Sequence, residues 1–251
     1  MSKFRSSSVT DTLLVFRYLL RWVPIAILAG LLGGTASAVL LVSLNWATDT
    51  RDAHHWLIAL LPVAGLLVGL MHRYLGTSVE AGNNLILDEV HDPKRTIPIR
   101  MTPLILIGTV MTHLFGGSAG REGTAIQTGA SLADQLGKPF HMDARERRVL
   151  LMAGISAGFA SVFGTPLAGA IFGLEVLAIG AVSYDAIVPC FIAAFAGDLT
   201  THAWGVHHTL YQVRELPTIG AAGLLWAGVA GAAFGLVGMS FSIREYSILD
   251  I

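Results

Sequence analysis

The sequence predicts an all-α membrane protein, a polytopic helical bundle in which some helices cross the bilayer and others are broken or re-entrant. Three observations carry that prediction. Hydrophobic residues make up 53% of the chain and charged residues only 13%, with a mean hydropathy of +0.64, a balance foreign to soluble domains. Charge-free stretches run over 22–47, 56–71, 101–120, 149–174, 186–197 and 216–243. Several exceed the roughly 20 residues that cross a hydrocarbon core, and the others suit re-entrant or broken helices. These runs are solid and do not alternate, which argues against an outer-membrane barrel.

Residues 1–21 begin polar, and the apolar run after them is too long for the core of a cleaved signal peptide, so a retained cytoplasmic tail is expected. Basic residues cluster at Lys3, Arg5, Arg17 and Arg21, at Lys94, Arg95 and Arg100, and at Lys138, Arg145, Arg147 and Arg148. By the positive-inside rule these segments face the cytoplasm. The loops at Arg51 and Arg214 carry single basic residues among Asp49, Asp52, His54, His55, His207 and His208, as expected of the opposite face. Cys190 is the one cysteine and is read as a packing residue, and a net charge of -1 gives no case for nucleic-acid binding. Glycine recurs at i and i+4 in Gly30/Gly34, Gly65/Gly69, Gly116/Gly120, Gly154/Gly158, Gly169/Gly173 and Gly231/Gly235. In lipid, close backbone approach through small residues supplies the helix packing that the hydrophobic effect cannot.

Three segments look like helix starts inside the apolar region. The first is Ala81-Gly82-Asn83-Asn84-Leu85, after a span that breaks near Arg73 and Tyr74. The second is Gly116-Gly117-Ser118-Ala119-Gly120-Arg121-Glu122-Gly123-Thr124, leading into a helix over 125–136 that stops at Gly137 and Pro139. The third is Phe163-Gly164-Thr165-Pro166-Leu167, with Thr165 as cap and Pro166 at the first helical position. A helix N-terminus offers unpaired N–H groups and a partial positive charge, so two such ends meeting in mid-membrane form an anion site without a full buried cation. Asn83 and Asn84 add amide donors, and Glu122 places an ionisable acid there, where acids are costly and usually functional. The plainer readings are that Asn83 only caps a helix and that Glu122 only stabilises its own first turn.

These residues resemble the CLC family of chloride channels and proton-coupled anion transporters. The resemblance rests on Gly120-Arg121-Glu122-Gly123, on Ala125-Ile126-Gln127-Thr128-Gly129, and on Gly164-Thr165-Pro166-Leu167-Ala168-Gly169-Ala170-Ile171-Phe172-Gly173-Leu174-Glu175, and it spans about 21–244. Most of the family has Pro after the first motif and a Ser flanked by glycines in the earlier anion-coordinating motif. Thr124 and Asn83 stand there in this chain, departures similar to the fluoride-exporting branch. The resemblance implies fluoride efflux coupled to proton exchange, with Glu122 as the gating glutamate that competes with the anion for a central site. Gly82, Asn83, Asn84, Gly120, Arg121, Gly123 and Thr124 are then the anion-binding set. Glu175 becomes an inner relay or a structural acid, because exchangers of the family carry a further Glu where this chain has Val176. A homodimer with one pathway per subunit, in a bacterial-type inner or plasma membrane, is implied too. Substrates and partners are then a small inorganic anion, the proton and the bilayer.

The family fold is two inverted repeats. By the resemblance, 22–205 is the first repeat, and 206–251 is an external linker with the first span of a truncated second repeat. No later Gly-x-Phe-x-Pro-like segment and no late Tyr to complete the anion cage are present, and Tyr246 lies just after that span. A chloride channel or chloride/proton exchanger, and a transport-dead fragment with a structural role, stay open as alternatives. Enzyme, cofactor and metal roles are not expected. Gly116-x-Ser118-x-Gly120 has the hydrolase spacing, but no strand precedes Ser118, and His113 lies on a different helical face. The histidine pairs are adjacent residues, whose side chains point apart.

Overall fold

The computed structural model describes residues 3–175, 183–208 and 220–249. Every element among them is helical. They are α1 (Lys3–Ala53), α2 (Leu61–Leu75) after a 3₁₀ turn (His55–Leu60), α3 (Asn83–His91), α4 (Met101–Leu114), α5 (Arg121–Asp134), α6 (Ala144–Phe163), α7 (Pro166–Glu175), α8 (Ile187–Ala203) after a 3₁₀ turn (Tyr184–Ala186), and α9 (Ala221–Leu249). The chain parts into two units, 1–208 and 209–251. Val176 and Arg214 lie outside the described residues, as does the side chain of Tyr246.

Among the described residues four stretches are long and apolar enough to cross a membrane: Thr12–Ala53, His55–Leu75, Tyr184–Ala203 and Ala221–Ser240. Met101–Leu114 and Pro166–Glu175 are apolar but shorter, in line with the mixture of full and partial spans the run lengths predict. Many large side chains of α1 and α2, such as Val42, Trp46, Leu66 and Leu67, are exposed. That surface suits an apolar solvent.

In the first unit α6 is the central post. Every residue from Val149 to Val162 except Phe159 is buried, and α1, α5, α7 and α8 all pack on it. Its N-terminus is a capping box. Asp143 Oδ1 accepts the Glu146 N–H at 2.8 Å and Glu146 Oε2 accepts the Asp143 N–H at 3.2 Å. Glu146 also pairs with Arg21 of α1 at 2.8 Å. The other end stops on Gly164, left-handed at φ 67°, and Pro166 opens α7 within two residues. The charge-free run 149–174 is therefore two helices, broken where the Gly-Thr-Pro segment predicts.

Small residues set how close the helices come. A Cβ on Gly154 would lie 2.5 Å from Ala133 Cβ and 2.6 Å from the Gly129 carbonyl oxygen, so α5 and α6 touch backbone to backbone. Gly30 meets α8 the same way, with Ala196 Cβ at 2.6 Å, and Gly169 meets α6, with Ala160 Cβ at 2.6 Å. Of the six predicted glycine pairs, Gly30/Gly34, Gly154/Gly158 and Gly169/Gly173 are contacts of this kind. Gly65, Gly69 and Gly120 are not such contacts among the described residues, where nothing lies within 4 Å of an added Cβ. Gly116 is a turn residue, at φ 79° against Ile58.

A correction concerns α5, which starts at Arg121 and ends at Asp134 where the sequence predicts 125–136. Gly120 is its N-cap, in extended conformation. Gly123 sits inside the first turn, with the Asn83 and Gln127 amides at ordinary contact range of an added Cβ, and it does not break the helix.

Candidate functional site

Two of the predicted helix starts converge. Gly82 is the N-cap of α3, at φ 55° and ψ -121°, a region glycine alone enters without strain. It turns the chain so that Asn83 is the first helical residue, facing the first turn of α5. A Cβ built on Gly123 would lie 3.4 Å from Asn83 Nδ2 and 3.7 Å from Gln127 Nε2. A Cβ on Gly82 would lie 3.7 Å from Gln127 Nε2 and 3.8 Å from Gln127 Oε1. The carboxamides of Asn83 and Gln127 thus both lie beside Gly123, at ordinary contact range of an added Cβ and without a hydrogen bond to each other. The first-turn N–H groups of a helix have no partner within it, and such an end carries a partial positive charge.

The capping alternatives fare differently from this juxtaposition. Gly82, not Asn83, is the N-cap, and neither α3 nor α5 has a side-chain cap bond. Glu122 is exposed and makes no hydrogen bond or ion pair with a described residue. The guanidinium of Arg121 lies over the Phe163 ring, 5.5 Å from its centroid, which commits that cation to the end of α6. Thr124 is buried, and its hydroxyl pairs with Thr109 Oγ1 of α4 at 2.7 Å. Asn84 is exposed, and Gly120 faces open space. Glu175 is exposed at the far end of α7 and forms no ion pair with a described residue. The segment that leads into α7 meets the start of α5 through the Arg121–Phe163 contact, and α7 itself packs on α6, where Gly169 meets Ala160.

A buried ion cluster holds these two helices from their opposite ends. Arg147 of α6 donates to Asp134 at the end of α5 through Nε at 2.6 Å and Nη2 at 2.8 Å, and to Glu89 of α3 through Nη1 at 2.8 Å. The side chains of Arg147, Glu89 and Asp134 are 12%, 9% and 0% exposed. Glu89 also accepts the backbone N–H groups of Lys94 and Arg95, and Asp134 accepts that of Ile97 at 2.6 Å. Arg148 donates to the Val90 and His91 carbonyls, satisfying the end of α3. Buried charge of this kind is tolerated because every member is hydrogen-bonded.

Sequence reasoning places Gln127 in the motif helix without a role, and it leaves out Glu89, Asp134 and Thr109 altogether. Gln127 was findable: it stands four residues after Gly123 and so shares its helical face. Ser118 lies in the loop between α4 and α5, with no strand-to-helix turn around it. Among the described residues no cluster of three His, Cys, Asp or Glu side chains is arranged to hold a metal.

Known proteins match this arrangement. Residues 64–250 match the family described as "Voltage gated chloride channel". The "Chloride/fluoride channel protein" of Pseudomonas syringae pathovar tomato is 53% identical over 99% of this chain and 54% of its own length. The "H(+)/Cl(-) exchange transporter ClcA" of Cronobacter sakazakii is 28% identical over 90% of this chain and 52% of its own. Among solved structures, a "CLC-type fluoride/proton antiporter" aligns with a TM-score of 0.81 and 34% identity, over 89% of this chain and 56% of that one. The chain thus spans about half the length of the relatives it matches. With three quarters of its residues inside the family match and the same helical fold as the antiporter, the chain belongs to the CLC, or voltage-gated chloride channel, family.

Proposed function

We propose that this chain forms the first half of a fluoride-exporting pathway in which anion efflux is coupled to proton entry. The observation that carries the reading is the meeting of the α3 and α5 N-termini over Gly82 and Gly123, with the Asn83 amide between them and the free Glu122 carboxylate one residue away. Neutral amides and helix-end partial charges replace part of an anion's hydration while leaving it able to depart. Glu122 competes for that seat: its charged carboxylate occupies the helix ends when no anion does, and it takes up a proton when the anion displaces it. Fluoride is preferred over chloride on two grounds, Asn83 in place of the family's serine and the fluoride named for the Pseudomonas relative and for the aligned antiporter.

The biological need is chemical. Hydrogen fluoride crosses membranes as a neutral molecule and dissociates in a near-neutral cytoplasm, which traps the anion, and an exporter relieves the trap. In this reading the N-terminus and the Arg145 end of α6 are cytoplasmic, the membrane is a bacterial inner membrane, and two copies assemble with one pathway each.

Liposomes loaded with potassium fluoride or potassium chloride test the reading, using the chain expressed with any coding sequence that continues past Ile251. Fluoride efflux should exceed chloride efflux and be accompanied by proton uptake, and Glu122→Gln should abolish the proton component. Equal halide fluxes remove the fluoride assignment. Proton movement that survives Glu122→Gln removes the gating role.

A further inference from the structure

A cavity of about 280 Å³ opens where two membrane-crossing stretches begin, at the end of α6 away from Arg121 and Phe163. It lies between the first turns of α6 and the 3₁₀ turn before α8, lined by Arg145, Arg148, Val149, Ser183, Tyr184 and Asp185. Tyr184 is the first residue of the stretch Tyr184–Ala203 and is 83% exposed. Tyr18, near the start of the stretch Thr12–Ala53, donates its hydroxyl to the Asp185 carbonyl, so both stretches enter the apolar layer at this level. That is the depth of lipid headgroups, where exposed tyrosine is favoured. The volume is just below the roughly 300–1,000 Å³ of sites for drug-sized molecules and suits a smaller group.

Charge decides which group. Two arginines against one aspartate leave the lining with one net positive charge. Arg145 donates to Asp185 through Nη2, and Arg148 donates to the Val90 and His91 carbonyls through Nε and Nη2. Nε and Nη1 of Arg145 and Nη1 of Arg148 have no partner among the described residues. We propose that this cavity binds the phosphodiester of an anionic phospholipid: Arg145 and Arg148 donate their remaining N–H groups to its phosphate oxygens, with the hydroxyls of Ser183 and Tyr184 as neutral partners for its glycerol oxygens. A phosphodiester carries one negative charge, which matches the lining, and basic pockets between membrane helices take anionic headgroups in this way. A choline lipid brings a cation of its own and cancels the gain. The inference does not rest on the anion seat at the starts of α3 and α5.

The test is native mass spectrometry of detergent-purified protein, expressed with any coding sequence that continues past Ile251. The protein is mixed with equal amounts of dioleoyl phosphatidylglycerol and dioleoyl phosphatidylcholine, and each lipid retained is counted. The wild type should retain phosphatidylglycerol over phosphatidylcholine by at least about fivefold. Arg145→Ala should lower that preference about fivefold, the effect of one basic side chain beside anionic lipid. Asp185→Asn keeps both arginines, removes the opposing charge, and should raise the preference by a similar factor of about five. Opposite directions distinguish a lipid site from an ion pair that only ties α6 to the turn before α8, because loss of the pair would move both variants alike. Equal retention of the two lipids by the wild type, a preference that survives Arg145→Ala, or two variants that shift together overturns the proposal. Displacement of phosphatidylglycerol by an equal concentration of inorganic phosphate assigns the cavity to soluble phosphate and overturns the lipid source. A protein without selective fluoride flux would bear on the anion seat alone.

Discussion

Arg147→Met should be the most damaging single change remote from the anion site. The guanidinium makes three charge-assisted bonds to two carboxylates that have almost no solvent to turn to, at 9% and 0% exposure, and a fourth to the Arg95 carbonyl. Methionine fills the aliphatic volume, so the loss is electrostatic. Glu89 and Asp134 would then share a buried pocket as like charges, with only the backbone N–H groups of Lys94, Arg95 and Ile97 as donors. Breaking a buried pair on one side costs about 3–5 kcal/mol, mostly because the surviving charge is left uncompensated. At about 2–4 °C per kcal/mol for a chain of this size, the midpoint should fall by roughly 6–20 °C. The assay is thermal unfolding of detergent-purified protein, followed by circular dichroism. Adding Glu89→Gln and Asp134→Asn to Arg147→Met removes the stranded charges and should recover at least about half of the loss. A drop below about 2 °C in the single variant, or a triple variant no better than the single one, refutes the view that this cluster clamps α3 and α5 together.

Other outcomes follow from the same contacts. Gly154→Ala must part α5 from α6, because the Gly129 carbonyl is backbone and cannot rotate away, and about 1–3 kcal/mol of destabilisation is expected in the same melt. Gly65→Ala, with nothing within 4 Å, should be silent or slightly stabilising. Thr109→Val strands the buried Thr124 hydroxyl, which should cost about 1–3 kcal/mol, and a Thr109→Val, Thr124→Val double variant should be closer to wild type than the single one. His208, beyond the end of α8, has its pKa lowered by burial, with Asp198 opposing that shift and His202 and Arg121 adding to it. The unfolded chain therefore binds this proton more readily than the folded one. The associated stability is full above the ordinary histidine value and is lost as pH falls through the lower folded one, so His208→Gln should flatten the acid-side decline in melting midpoint.

What the sequence made legible were features written in local chemistry. Gly82 before Asn83 and Gly164-Thr165-Pro166 mark helix starts because positive φ, capping and the proline ring act within a few residues, and α3 and α7 begin where those signals stand. The start of α5 is misplaced by four residues because Gly120 and Gly123 read locally as breakers, while Gly123 is in fact helical, with the Asn83 amide of another helix beside it. The glycine spacing shows the same limit. The i,i+4 pattern is equally good in Gly154/Gly158 and Gly65/Gly69, yet only the first pair meets a partner, because a repeat says which face is smooth and not what lies against it. Glu89, Asp134 and Arg147 stood in the sequence as three ordinary charges. Their union depends on the C-terminal ends of α3 and α5 lying level with the N-terminal end of α6, which nothing within a window of a few residues encodes.

Those two scales of information combine into one account of how the proposed site is held. An anion seat built from helix ends must be firm enough to keep two N-termini aimed at one point, yet weak enough to release its occupant. The strong interactions are accordingly placed away from it. Full charges sit at the other ends of α3 and α5, where Arg147 locks Glu89 to Asp134, and Arg121, in the first turn of α5, is engaged with the Phe163 ring. What remains at the meeting point is neutral: two glycines, two carboxamides, and helix ends worth about half a charge each. A guanidinium there would hold a halide and Glu122 alike too tightly for either to displace the other. Partial charges leave the competition between them nearly balanced, and that balance is what exchange of an anion for a proton requires.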